Sequence, residues 1–169
     1  MPLIPPAAKI PLPIQEVLAE FFIDLLGKGA AASKTRELKL QPQTESKYVV
    51  AVYEDNYERV GAVCISELLM AAVGGAALVM AAPSILPEVV AAEKLPENLL
   101  DNYKEVVNIL CSVLNTPNTP HLRLAAIHAF PDEEMGQEVW EVLDRPSNRR
   151  DFEITVEGYG GGKLSILAR

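Results

Sequence analysis

The sequence predicts an α+β protein in which two similar halves build a mainly antiparallel sheet with long helices packed on it. Three observations carry this expectation. Tyr48 to Tyr53 with Arg59 to Ile65, and Phe152 to Val156 with Lys163 to Leu167, are pairs of β-rich runs a short turn apart, and read as hairpins. Two long segments, one near each end of the first hundred residues, carry apolar residues at helical spacing. Each half then runs helix, strand, intervening segment, hairpin, an order that gives antiparallel pairing with helices on a face and not a doubly wound parallel sheet. The residue identities are not repeated, so the likeness of the halves is one of element order.

The elements follow in turn. Met1 to Pro13 holds five prolines and one lysine and reads as an extended tail before a single domain over residues 14–169. It has no apolar core of a signal peptide, so the chain is expected in the cytoplasm. Pro13-Ile14-Gln15-Glu16 opens a helix with Ile14, Val17, Leu18, Phe21, Phe22 and Leu25 at helical spacing, ended by Gly27 and Gly29. Arg36 to Leu40 alternates and reads as a strand. The first hairpin turns at Glu54-Asp55-Asn56-Tyr57. Leu68 to Ala82 is an uncharged helix, too short for the roughly 20 residues that span a bilayer, and is expected to be buried. Gly74 and Gly75 suit it to close approach by another helix. A proline-punctuated loop runs from Pro83 to Pro96.

The second half opens with a helix from about Asn98 to Asn115, closed by Thr116-Pro117 and a turn-rich stretch to Pro120. Leu122 to Ala129 reads as a strand, and Glu133 to Leu143 as a short acidic helix containing the single tryptophan, Trp140. The final hairpin bends around Gly158-Tyr-Gly-Gly-Gly162.

Charge and cysteine content narrow the function. A net charge of −8 with no basic stripe leaves nothing to neutralise phosphates, so nucleic acid is not expected as a partner. Cys64 and Cys111 each lie in an apolar run and read as buried free thiols, with a single disulfide as the alternative and no metal-site spacing around them. Gly158 to Lys163 lacks the Ser or Thr and the following helix of a phosphate loop. Gly74-Gly75-Ala76 lies inside a helix, where a dinucleotide fingerprint does not. His121 and His128 stand an odd number of residues apart along a strand and point to opposite faces. Glu133, Glu134, Glu138 and Glu141 form an acidic face that reads as solvated.

The helix from Asn98 to Asn115 is different. At about 100° per residue, Asp101, Glu105, Asn108, Ser112 and Asn115 fall in one stripe, opposite Leu100, Tyr103, Val106, Val107, Leu110, Val113 and Leu114. Core-packed helices always present a polar face, so the stripe alone proves little. Glu105 and Asn108, three residues apart, nevertheless point the same way. A carboxylate and a carboxamide so placed can grip a cationic group and hold a water at adjoining spots.

With this helix opening the second of two like halves, the chain resembles the CheC/CheX/FliY family of chemotaxis phosphatases. The family signature is Asp or Ser, three residues, Glu, two residues, Asn, on an exposed helix, and Asp101, Glu105 and Asn108 match it. The hairpin and Ala/Gly/Leu-rich helix from Tyr48 to Ala82 also look like the family's central region, and the resemblance covers residues 14–169. In the first-half helix, Glu16 and Glu20 are present, but Ala19 and Ile23 stand where Asn is needed, so one site is expected, as in CheX-like proteins and unlike two-site CheC. The resemblance implies removal of the phosphoryl group from the aspartyl phosphate of a CheY-like response regulator. Glu105 and Asn108 would be catalytic, and Asp101, Glu105 and Ser112 would face the partner. It also implies that this chain binds no cofactor, that Mg²⁺ sits on the regulator, and that a homodimer forms by analogy with CheX. The rival reading is a non-catalytic interaction module on the same fold, as in flagellar switch proteins. An unrelated small-ligand protein of α+β class is third.

Overall fold

The computed structural model describes residues 3–6 and 9–169; Met1, Pro2, Ala7 and Ala8 of the expected tail lie outside them. The elements are α1 (Gln15–Leu26), β1 (Ala30–Lys34), β2 (Tyr48–Glu54), β3 (Val60–Glu67), α2 (Leu68–Leu78), α3 (Leu86–Ala92), α4 (Glu97–Leu114), β4 (Arg123–Phe130), α5 (Gln137–Asp144), β5 (Asn148–Val156) and β6 (Gly160–Ala168). The six strands form one antiparallel sheet in the order β1-β5-β6-β3-β2-β4. Exchanging the halves, β1 for β4, β2 for β5 and β3 for β6, reverses this order and returns the same sheet. The two halves therefore meet at the β3–β6 pair. Each lends its single strand to the other's hairpin, β1 to β5 and β4 to β2. The α+β architecture expected from the sequence is the one observed.

Alternation along the central strands divides the core in two. Val49, Ala51, Tyr53, Cys64, Phe152 and Ile154 face α1, α2 and α4. Val50, Val52, Val63, Ile65 and Leu167 face α5 and the segment carrying Leu38 and Leu40. Helix α2 is buried from Met70 to Ala77, as its uncharged sequence requires. No helix among the described residues is long and apolar enough to cross a membrane.

Four expectations change. The strand placed at Arg36 to Leu40 is absent, and the strand of that half is β1. Its sequence, Ala-Ala-Ala-Ser-Lys, lies at the sheet edge with little buried, so it has no apolar alternation to betray it. Leu38 and Leu40 are buried nonetheless, and Arg149 Nη2 donates to the Leu38 carbonyl at 2.8 Å in place of a strand partner. The expected loop from Pro83 to Pro96 contains a 3-10 turn (Pro83–Ile85) and α3, each with a proline in its first positions, where a missing N–H breaks nothing. The helix expected to reach Ala82 stops at Leu78. Met80 takes a left-handed φ of 56°, while Ala81 N–H donates to the Ala76 carbonyl and Met80 N–H to that of Ala77, a Schellman closure. The helix expected from Glu133 begins only at Gln137, with Gly136 at its N-cap.

The segment before Ile14 contributes to the core. Ile10 and Leu12 are buried, and Arg59 Nη1 donates to the Pro5 carbonyl at 2.7 Å.

Candidate functional site

Helix α4 is seated on its apolar side. Leu99, Tyr103, Val106, Val107, Leu110, Cys111 and Leu114 are buried. Its closest neighbour is α2, whose glycines permit the approach: a Cβ on Gly75 would collide with the Leu99 carbonyl oxygen, and one on Gly74 would stand 2.9 Å from the Tyr103 ring. Asn102 Nδ2 donates to the Gly75 carbonyl at 3.2 Å across the same contact.

Two buried phenols lie under the helix. Tyr103 Oη and Ser66 Oγ of β3 share a hydrogen bond of 2.6 Å, and Tyr53 Oη of β2 donates to the Val107 carbonyl at 2.6 Å. Burial pushes both phenols above their ordinary range, so they stay protonated. Neither was visible as a site residue in the sequence, because the partners of their hydroxyls are brought together only by the tertiary fold. The one available signal was a tyrosine inside each apolar run, since a buried tyrosine needs a partner for its oxygen.

On the outer side, Asp101, Glu105, Asn108 and Ser112 are all exposed, as the periodicity predicts. Lys104 Nζ lies 3.8 Å from Asp101 Oδ1, between side chains 45% and 62% exposed, a pairing worth at most about 1 kcal/mol in water. Asn115 departs from the stripe. It is partly buried, accepting from the Leu122 amide at 2.8 Å and donating to the Leu122 carbonyl at 2.9 Å, so its carboxamide closes the 115–122 loop. Helix α3 packs against α2 and leaves the motif face open.

The face is a convex helix surface, not the wall of a cleft. An open groove of about 700 Å³ between residues 93–97 and the ends of β2 and β4 reaches α4 only at Glu97 and Leu100, before Asp101. Such geometry suits insertion into a partner's site better than enclosure of a small molecule.

The remaining candidates are structural. Cys64 and Cys111 are buried and free, and burial pushes the Cys64 thiol up to about 12. Cys111 donates to the Leu122 carbonyl at 2.9 Å. His121 is exposed, whereas His128 Nδ1 stands 3.8 Å from Glu133 Oε2. Among the described residues no group of three or more His, Cys, Asp or Glu side chains could hold a metal. Glu133, Glu134, Glu138 and Glu141 are all exposed, and Glu138 also accepts from the Val60 amide at 3.0 Å. The glycine-rich stretch is the turn and opening of the β5–β6 hairpin; Gly161 lies against the β5 backbone and Gly162 against the start of α2.

No family model matches the sequence, and no curated protein matches it. Solved structures do resemble the fold. FliY from Thermotoga maritima superposes with a TM-score of 0.57 at 16% identity, covering 89% of this chain and 81% of that one. The FliM middle domain from Vibrio alginolyticus gives 0.56 at 10% identity, over 89% of this chain and 85% of that one. A FliM–SpeE complex from H. pylori gives 0.59 at 8% identity, over 89% of this chain and 79% of that one. The chain thus has the CheC-like fold shared by FliY and FliM middle domains, the fold that the sequence resemblance implies.

Proposed function

We propose that this protein is a cytoplasmic phosphatase acting on the aspartyl phosphate of a CheY-like response regulator, with α4 as its working helix. The observation that carries the reading is the exposure of Glu105 and Asn108 side by side on α4, while Asn102 and Asn115 are committed to backbone groups. The likeness to FliY supports it at the level of the fold.

Hydrolysis of an acyl phosphate needs little covalent assistance; positioning and electrostatics dominate. Docking of α4 beside the phosphorylated aspartate would bring the Asn108 carboxamide to an attacking water. A carboxamide both accepts and donates and carries no charge, so it can orient that water without repelling the phosphoryl group. The Glu105 carboxylate would pair with a regulator lysine and fix the register of docking. Asp101, one turn earlier, and Ser112, one turn later, would meet the regulator at the rim. Mg²⁺ bound by the regulator would supply charge stabilisation of the phosphoryl oxygens.

FliM middle domains have the same fold, and this favours one rival: docking on a partner without turnover. The two readings separate on Asn108→Ala. The phosphatase reading expects dephosphorylation to slow by on the order of 10²-fold, with regulator binding retained. An unchanged rate of phosphate release in that variant would remove Asn108 from the chemistry.

A further inference from the structure

Beneath the turn of α4 that carries Asn108, the sheet sends up a buried hydroxyl. Tyr53 is fully buried, and its Oη donates to the Val107 carbonyl at 2.6 Å. Inside a helix that carbonyl also accepts from the amide four residues on, so the phenol occupies its second lone pair and takes no bond from the helix. The residue so held is the immediate neighbour of Asn108.

Strand β2 is irregular at the same place. Its pairing with β4 shifts register between Val52 and Tyr53, and its pairing with β3 between Tyr53 and Glu54. Irregularities of this kind bend a strand and re-aim the side chain beside them. Here both flank the residue whose hydroxyl reaches α4. Apolar packing explains a ring at this position but not its oxygen, since phenylalanine would fill the space with no polar atom to satisfy. A short bond to a main-chain oxygen, by contrast, fixes the depth of the helix at one turn.

We infer that Tyr53 is a positioning residue for Asn108, setting through the Val107 carbonyl how far the Asn108 carboxamide stands out from the sheet. This rests on the reading of α4 as a phosphatase helix. Tyr103 provides an internal comparison, because its hydroxyl is bound to Ser66 and not to the Val107–Asn108 turn.

The test compares Tyr53→Phe and Ser66→Ala with the wild type in phosphate release from a Mg²⁺-loaded, phosphorylated regulator, at a temperature where all three are fully folded. Tyr53→Phe keeps the ring, so the core stays filled. Its kcat is expected to fall about tenfold, because small displacements of a positioning group are costly. KM is expected to stay within about twofold, because the docking face is intact. Ser66→Ala is expected to keep both parameters within about twofold. A wild-type kcat in Tyr53→Phe, or a fall in kcat equally large in Ser66→Ala, overturns the inference and leaves the phosphatase reading standing. Absence of turnover by the wild type overturns both.

Discussion

Asn108 on α4 and Asn115 at its C-cap lie two turns apart, and their side chains do opposite things. Asn115 bonds both backbone groups of buried Leu122; the carbonyl keeps its bond from Cys111 in Asn115→Ala, but the amide is stranded at a cost of about 1–3 kcal/mol, measurable by chemical denaturation. Asn108 is exposed, and Asn108→Ala is expected to move stability by no more than about 0.5 kcal/mol. Helical periodicity showed that both residues share a stripe, but not that one of them is turned into the loop that follows. Asp55 supplies a second test at this scale. Burial alone would raise its carboxyl, but the amides of Arg59 and Tyr57 and the Arg59 guanidinium outweigh burial and hold it below the usual range. A group depressed in the folded state stabilises above its unfolded value, about pH 3.9, and loses that contribution as pH falls through the folded value. Stability should therefore fall as pH drops below about 4. Asp55→Asn should be less stable than wild type at neutral pH and show a shallower acid loss, with Asp151, lowered in the same direction, supplying part of what is left. Equal acid slopes in the two proteins would contradict this assignment.

At the scale of elements, the contact between α2 and α4 holds the motif helix in place. Alanine at position 75 would gain about 1 kcal/mol of helix propensity, but its Cβ would meet backbone that cannot rotate away. Overpacking of this kind costs about 1–3 kcal/mol, so Gly75→Ala should lower the melting temperature; an unchanged or raised value would show that α4 is free to shift. The paired glycines were legible as a sign of close helix approach because nothing else requires two of them within a buried helix. The elements that escaped sequence reading share a cause, which is that their local signals belong to their surroundings. β1 is an alanine-rich edge with little to bury, and α3 hides behind prolines that open helices as readily as they end them. Leu38 and Leu40 alternate like a strand because α5 covers them, without any ladder partner.

At the scale of the whole molecule, the order of elements foretold two like halves, and the sheet shows how they interlock through exchanged edge strands. The correspondence extends to the helices. At one constant spacing along the chain, buried Leu18, Phe22 and Leu26 of α1 match buried Tyr103, Val107 and Cys111 of α4, and exposed Glu16 and Glu20 match Asp101 and Glu105. Ile23, 41% exposed, then takes the place of Asn108, so of the two helices α4 alone presents an amide at that position. The stripe on α4 was readable because one helix generates it whole; the tyrosines beneath it were not, because β2 and β3 supply their setting from a distance in sequence. The central claim is that α4 turns over a phosphorylated regulator and does not merely dock on it. It is tested most directly by following the phosphate on a Mg²⁺-loaded CheY-like regulator from the same cell, with this protein present at a small fraction of the regulator's concentration. Loss of many phosphates per molecule of this protein, faster than the regulator's own decay, is the predicted result. Binding of the phosphorylated regulator with its decay unaltered would contradict the account and identify α4 as a docking face.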